Sequence, residues 1–302
     1  MQLSSTKDDD LDTLTICDVL ASGPRRKGYR ISKFDSFDLY EQKRLTREHH
    51  DLKEQKNVYT NKLQKCIDIV FPEFNDLFKS KYGTVYMNIL KTFGSADAIA
   101  HANIRSIRKC FETYTKGRKI SLTAEQLKEA AKNSIGFPST AETIEIKHLI
   151  EIIEMLDQQI EEIDKKIEEF AHENDSPILS IPGISYFSGT SILAELGDLH
   201  NYSKASQVIK FAGVSPSKYK SSQFEAQHTA ITKKGSRYLR KTLYQVILPV
   251  IKFNPVFETF YKLKRSQGKS HRCAQGHCVR KLLRIIYHLE TTNQKFDPSM
   301  IR

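Results

Sequence analysis

A mainly α-helical fold is what this sequence predicts, and three observations predict it. Apolar residues recur at steps of three and four through residues 141–172. A long charged stretch over 38–70 reads as helix and stops before Pro72. The last third divides into segments at 187–196, 204–212, 233–252 and 272–290 that again read as helices.

Taken in order, residues 9–22 read as a short helix ending near Gly23-Pro24, and residues 28–34 as a short strand. The 38–70 helix has a loose apolar spacing, with Leu45, Leu52, Tyr59 and Leu63 standing out. Residues 74–134 read as several shorter helices, with turns at Tyr82-Gly83 and Phe93-Gly94-Ser95. The clearest periodicity follows: Ile146, Leu149, Ile153, Leu156, Ile160, Ile163, Ile167 and Phe170 form a heptad seam, with Glu and Lys on the outer face. A seam of this kind needs a partner, which the 38–70 helix, a second subunit, or both can supply. An amphipathic helix in an ordinary bundle reads the same way. Asn174-Asp175-Ser176-Pro177 closes the helix and marks a boundary. Residues 213–231, rich in Ser, Pro, Gln and Lys, read as a loop or short strands.

The chain has 302 residues, enough for two modest domains or one domain with a long arm. No run of 18 apolar residues occurs, which argues against a membrane span. Met1 to Asp12 is polar and acidic and does not read as a secretory signal. Five cysteines at irregular spacing suit a reduced, cytoplasmic protein.

Charge is unevenly spread. Residues 201–302 hold 20 Lys+Arg and 4 Asp+Glu, while residues 1–200 hold 27 and 32. A basic C-terminal third beside a slightly acidic remainder is the footprint of a polyanion-binding protein, although a basic surface can serve solubility alone. Composition does not separate DNA from RNA.

Residues 179–196 read LSIPGISYFSGTSILAEL. The Pro182-Gly183-Ile184 turn before a helix resembles the turn of a helix-hairpin-helix. There, Gly183 would let the backbone approach a phosphate at the next helix's N-terminus; a plain tight turn is the other reading. Farther on, Lys233, Lys234, Arg237 and Arg240 open a predicted helix. Arg237 and Arg240 share a face, suited either to phosphate or to solvent. His271, Cys273, His277 and Cys278 lack zinc-ligand spacing. No phosphate-binding loop of the Gly-x-x-x-x-Gly-Lys-Ser/Thr pattern is present.

The order Ile181-Pro182-Gly183-Ile184, Glu195-Leu196-Gly197-Asp198, Phe211-Ala212-Gly213-Val214-Ser215-Pro216, Gly235-Ser236-Arg237-Tyr238-Leu239-Arg240 and Arg280-Lys281-Leu282-Leu283 resembles the C-terminal domain of insertion-sequence 110 transposases. In that family a serine, usually followed by Gly, lies a few residues after the Gly-Val-x-Pro turn. The matching residue is Ser221, followed here by Ser222. The resemblance implies that Ser221 attacks a DNA phosphodiester and holds the strand as a phosphoserine ester. No His stands at a fixed short spacing from Ser221, so a metal or arginines are the expected activators.

Family members also carry an α/β, RuvC-like nuclease domain with four acidic residues, the last two in a Lys-x-Asp-x-x-Asp phrase. Lys7, Asp9 and Asp12 match that phrase. Both aspartates can share one helix face and offer hard oxygen ligands to Mg²⁺; a solvated helix cap is the alternative. The resemblance implies a longer preceding segment with the first two ligands, which this chain does not show. A complete two-metal site is therefore not expected from it. The expected organisation is a RuvC-like remnant over 1–34, a helical or coiled-coil arm over 35–175, and a serine transposase domain over 176–302. The resemblance further implies a bacterial cytoplasmic protein, DNA as substrate, a structured guide RNA, and dimers or tetramers without membrane partners. A non-catalytic nucleic-acid-binding remnant is the competing expectation.

Overall fold

The computed structural model describes residues 36–115, 121–216 and 231–300, the backbone of 220–221 and 224–225, and the isolated helical positions Thr13, Leu14, Cys17 and Ala21. The predicted strand at 28–34 and the rest of the predicted 9–22 helix lie outside the described residues. Among the described residues the fold is mainly α, with one short antiparallel hairpin.

Helix α1, Phe37–Val70, begins where the Ser36 side chain accepts the Leu39 N–H at 3.3 Å. It pairs along its length with α6, Thr140–Asn174, which ends at Asp175 in a left-handed conformation, φ 34°. The two helices run antiparallel and form a stem. Leu52 packs with Leu156 and Ile160, and Lys56 pairs with Asp157. The predicted seam is buried at Ile146, Leu149, Ile153, Leu156, Ile160 and Ile167, and α1 of the same chain covers it.

At the far end, residues 71–139 form a distal helical unit. It contains a 3-10 turn at Pro72–Leu77, then α2 (Thr84–Phe93), α3 (Ala96–His101), α4 (Ile104–Thr115) and α5 (Ala124–Lys132). The turns predicted there are present: Tyr82 and Gly94 take positive φ, and Ser95 caps α3. Phe71, Phe74, Tyr86, Ile89, Ile99, Ile107 and Leu127 share one core with Ile67 and Ile146 of the stem. The Phe137 N–H donates to Ile69 O at 2.8 Å, closing the neck where the chain re-enters the stem.

The C-terminal body follows a 3-10 turn at Pro177–Ser180. It contains α7 (Tyr186–Leu196), α8 (Ala205–Phe211), strands β1 (Lys220–Ser221) and β2 (Phe224–Glu225), then α9 (Arg237–Phe253), α10 (Pro255–Ser266) and α11 (His271–Thr292). Its core is built by Ile178, Ile192, Val208, Leu239, Leu243, Ile247, Phe257, Val279 and Leu283, among others. Helix α10 lies between two helices that the sequence predicts and was not itself assigned from sequence. The Asn254 side chain accepts the Val256 N–H at 3.1 Å, and Pro255 occupies the first turn, so the apparent break is a helix start. No helix among the described residues is long and apolar enough to cross a membrane.

Candidate nucleic-acid interface

Ser221 lies in a short antiparallel ribbon, the pairing of residues 220–221 with 224–225, within the segment that leaves the C-terminal body at Pro216 and returns at Ile231. Its base forms where Thr232 N–H donates to Ser215 O at 3.0 Å, Lys233 N–H donates to Gly213 O at 3.1 Å, and Pro216 bridges Ile231. Above it, Lys220 pairs with Glu225 and Ser221 with Phe224. Ser221 therefore stands immediately before the two residues that join the strands.

Two glycines make the base possible. Gly213 has φ 67°, and a Cβ there would lie 2.1 Å from Lys234 O; Gly235 has φ 113°, and a Cβ there would lie 2.1 Å from Phe211 O. Both the dihedrals and the close approach exclude a side chain. Because Gly235 and the Ser236 cap turn the chain, α9 starts at Arg237 rather than at 233.

Arginines brace the ribbon. Arg240 Nη1 donates to Gly235 O at 3.0 Å, and Arg280 Nη1 reaches Val214 O at 3.4 Å. Arg280 is half-buried; burial pushes its pKa down from the ordinary arginine value, and Arg284 adds in the same direction. Burial likewise raises the Tyr244 hydroxyl beside it. Lys233 and Lys234 are exposed at the same base.

Helix α1 seats this assembly on the stem. Arg47 grips Glu195 of α7 with Nε–Oε1 at 2.5 Å and Nη2–Oε2 at 3.1 Å, and the Glu195 side chain is 1% exposed. Burial opposes the charge on Glu195. Bonds from Arg47 and from Ser236, the α9 cap, outweigh burial and hold its pKa below the ordinary glutamate value. Tyr238 OH donates to Asp51 at 2.9 Å, and Lys241 pairs with Glu54 at 2.7 Å. His50 Nε2 lies 2.9 Å from Thr242 Oγ1, and the Phe187 ring sits 4.0 Å from His49 and 5.3 Å from His50. His49 Nε2 is 3.1 Å from Asp164 Oδ1 but out of hydrogen-bond alignment. Burial pushes the His49 pKa down to about 3 and raises that of Asp164, which disfavours charge on both partners.

The predicted residues thus divide. Lys233, Lys234 and Arg240 gather at the foot of the Ser221 ribbon. Arg237 is exposed but leans toward α1, with Nη2 2.9 Å from Tyr238 OH and 3.5 Å from Asp51. Gly183 lies away from this group. Its φ is 97°, and a Cβ would lie 2.7 Å from the backbone of Pro249 and Val250. Close packing against α9 accounts for the glycine. The element before it is a 3-10 turn, not the α-helix of a helix-hairpin-helix. Asp9, Asp12, Ser222 and the Ser221 side chain lie outside the described residues. Of the four residues weighed for zinc, Cys278 is buried in the core, Cys273 is exposed, and His271 Nδ1 bonds Tyr261 OH at 2.7 Å. Sequence reasoning assigned no role to Arg47, Glu195, Tyr244 or Arg280. The only local signal was the placement of Glu195 and Arg280 inside apolar helical runs, where a charge needs a partner or a purpose.

These features define a helical protein whose basic C-terminal body presents a braced β-ribbon seated on a long stem. Residues 175–262 match the family described as Transposase IS116/IS110/IS902 family, which relates this body to the transposases of that family. The chain is 28% identical over 154 residues to the pilin gene-inverting protein of Moraxella bovis, covering 50% of this chain and 47% of that protein. It is 27% identical over 186 residues to an uncharacterized 42 kDa protein of insertion element IS900 from Mycobacterium paratuberculosis, covering 60% of this chain and 45% of that protein. Over 73 residues it is 33% identical to the transposase for insertion sequence element IS1111A of Coxiella burnetii, covering 24% of this chain and 20% of that protein. The chain spans about half the length of the first two of these relatives.

Proposed function

We propose that this chain handles DNA in transposition, cleaving and rejoining strands through Ser221. The observation that carries the reading is the position of Ser221 in a ribbon whose base is fixed by Gly213, Gly235, Arg240 and Arg280 and flanked by Lys233 and Lys234. A nucleophile that must meet one phosphorus atom gains from a rigid support, and cations beside it suit phosphate oxygens. In the step proposed, Ser221 Oγ bonds to phosphorus and its proton passes to water, while the bond from phosphorus to a sugar oxygen breaks and that oxygen leaves as a free DNA hydroxyl, taking a proton from water. The resulting ester keeps the strand until a second DNA hydroxyl attacks.

On this reading Lys233, Lys234, Arg237 and Arg240 contact the strand backbone. Gly183 is left out, because packing accounts for it. The family resemblance supports three further assignments: Asp9 and Asp12 as Mg²⁺ ligands, a structured guide RNA, and a dimer or tetramer. Carboxylate oxygens are the ligand type Mg²⁺ takes.

The test is capture of a DNA–protein adduct from plasmid carrying the element's own ends, with Mg²⁺ supplied. Ser221→Ala should abolish the adduct and Ser222→Ala should retain it. The opposite pattern would move the nucleophile to Ser222. Salt-sensitive binding with no adduct in the unaltered protein would make it a non-catalytic nucleic-acid binder and overturn the chemistry.

A further inference from the structure

A cavity of about 450 Å³ opens on the C-terminal body between α10, α11 and the tail after α11. This size is within the range of small-molecule sites. Phe260, Ile285, Leu289 and Phe296 give it apolar walls, and Lys281, Arg284 and Lys295 bring positive charge. None of these three cations takes part in an ion pair among the described residues. The lining carboxylate is Asp297, and it accepts the Ser299 N–H at 2.8 Å.

The site is built rather than incidental. Asn293 reverses the chain with φ 54°, and Gln294 N–H donates back to Leu289 O at 3.1 Å. Phe296 N–H then donates to Ser180 Oγ at 2.7 Å, and that hydroxyl donates to Pro177 O at 2.6 Å. The tail wall is thereby tied to the turn that opens the C-terminal body. On the other wall, Lys281 Nζ lies 4.7 Å from the Phe260 ring centroid. A desolvated ammonium over an aromatic face is favourable, yet it leaves N–H donors unspent. Arg280, at the foot of the Ser221 ribbon, lies one helical turn from Arg284 on the same face of α11. The cationic row thus runs from the ribbon base to the cavity mouth.

An aromatic and apolar slot whose rim carries three cations and one carboxylate matches a ligand with a flat apolar face and a nearby anion. We propose that the cavity receives one nucleotide, its base against Phe260 and its phosphate held by Lys281, Arg284 and Lys295. The row leading from Arg280 points to a nucleotide extruded from the strand held at the ribbon. This source rests on the strand-handling reading above; the cavity's affinity for a nucleotide does not.

The test is calorimetric titration of the full chain with adenosine monophosphate, alongside inorganic phosphate and adenosine. Adenosine monophosphate should bind more tightly than either part. Arg284→Gln and Phe260→Leu should each weaken it by roughly tenfold or more, the size expected for a lost stacking or charged contact. Arg284 is exposed, so that variant should fold normally. Equal affinity in the variants, or binding no better than inorganic phosphate, overturns the proposal. A single-stranded oligonucleotide that displaces adenosine monophosphate supports the strand as the source, and failure to displace it overturns that part. Ser221→Ala should leave the titration unchanged, so failure of the catalytic reading and failure of this one are distinguishable.

Discussion

At the scale of single residues, the strongest commitments are buried charges and rings that join α1 to the C-terminal body. Arg47→Ala would leave the Glu195 carboxylate in a site where its side chain is 1% exposed. Removing one partner of a buried pair costs several kcal/mol; because Arg47 is itself 35% exposed, about 3 kcal/mol is the expected loss, read from urea unfolding. The folded-state pKa of Glu195 is depressed. Its contribution is therefore present above the ordinary glutamate value and fades as pH falls through the lower folded value. His49 and His50 also act toward acid sensitivity, at higher pH. Folding holds them neutral, with pKa values lowered from 6.5 to about 3 and about 4. Between those values and 6.5 the unfolded chain binds more protons, so stability falls as pH drops below about 6.5. Replacing His49 with Leu should flatten that decline in thermal melts at pH 5 to 7; an unchanged decline would place the titration elsewhere. None of these pairings was legible in sequence. Arg47 and Glu195 are 148 positions apart, and no periodicity links such residues.

At the scale of elements, legibility followed how local each signal was. The α6 seam was plain because Ile146 to Phe170 repeats over many turns on one helix. The turn at Gly94 was plain because a positive φ selects few residues; at Tyr82-Gly83 the glycine marked the turn, although the positive φ falls on Tyr82. Helix α10 was missed because Asn254-Pro255 serves equally as a stop or a start, and only the packing of Phe257 into the core decides between them. The short strands near Ser221 were foreseen as one of two options, but the glycine base beneath them was not. That base requires Gly213 to meet Lys234 and Gly235 to meet Phe211, and such contacts appear only after folding. Gly213→Ala should therefore destabilise the body by more than about 1 kcal/mol, beyond the ordinary gain from losing a glycine in the unfolded chain. Hydrogen exchange at Thr232 and Lys233, whose amides close the base, should rise in that variant. Unaltered protection would show that the base tolerates a side chain.

At the scale of the molecule, charge is the organising feature. The excess of 20 Lys+Arg over 4 Asp+Glu in residues 201–302 predicts binding to duplex DNA or RNA that weakens steeply with salt, through counterion release. Replacing Lys233, Lys234 and Arg240 with Gln should flatten the dependence of log affinity on log salt by up to about three contacts. Arg237→Gln should matter less, because its guanidinium already meets Tyr238 and Asp51. An equal loss from both sets would show that net charge, not placement, governs binding. The basic third was readable from composition alone, whereas the placement of its cations at the ribbon base and around the cavity required the fold.

The stem has a mechanical consequence. Helix α1 spends its first half against the C-terminal body, at Arg47, His50, Asp51 and Glu54, and its last turns inside the core of the distal unit, at Leu63, Ile67 and Val70. From Asp51 to Val70 the helix spans about 28 Å at the usual rise. Between those anchorages Tyr59 packs against the cluster of Leu52, Leu156 and Ile160 and keeps the helix on α6. A continuous helix clamped at both ends is a lever without an elbow. A push on the distal unit is therefore delivered at Tyr238 and Lys241, in the first turns of α9, which follows directly on Gly235 and Ser236 at the ribbon base. Whatever the distal unit grips, its tilt and the aim of the ribbon are geared together.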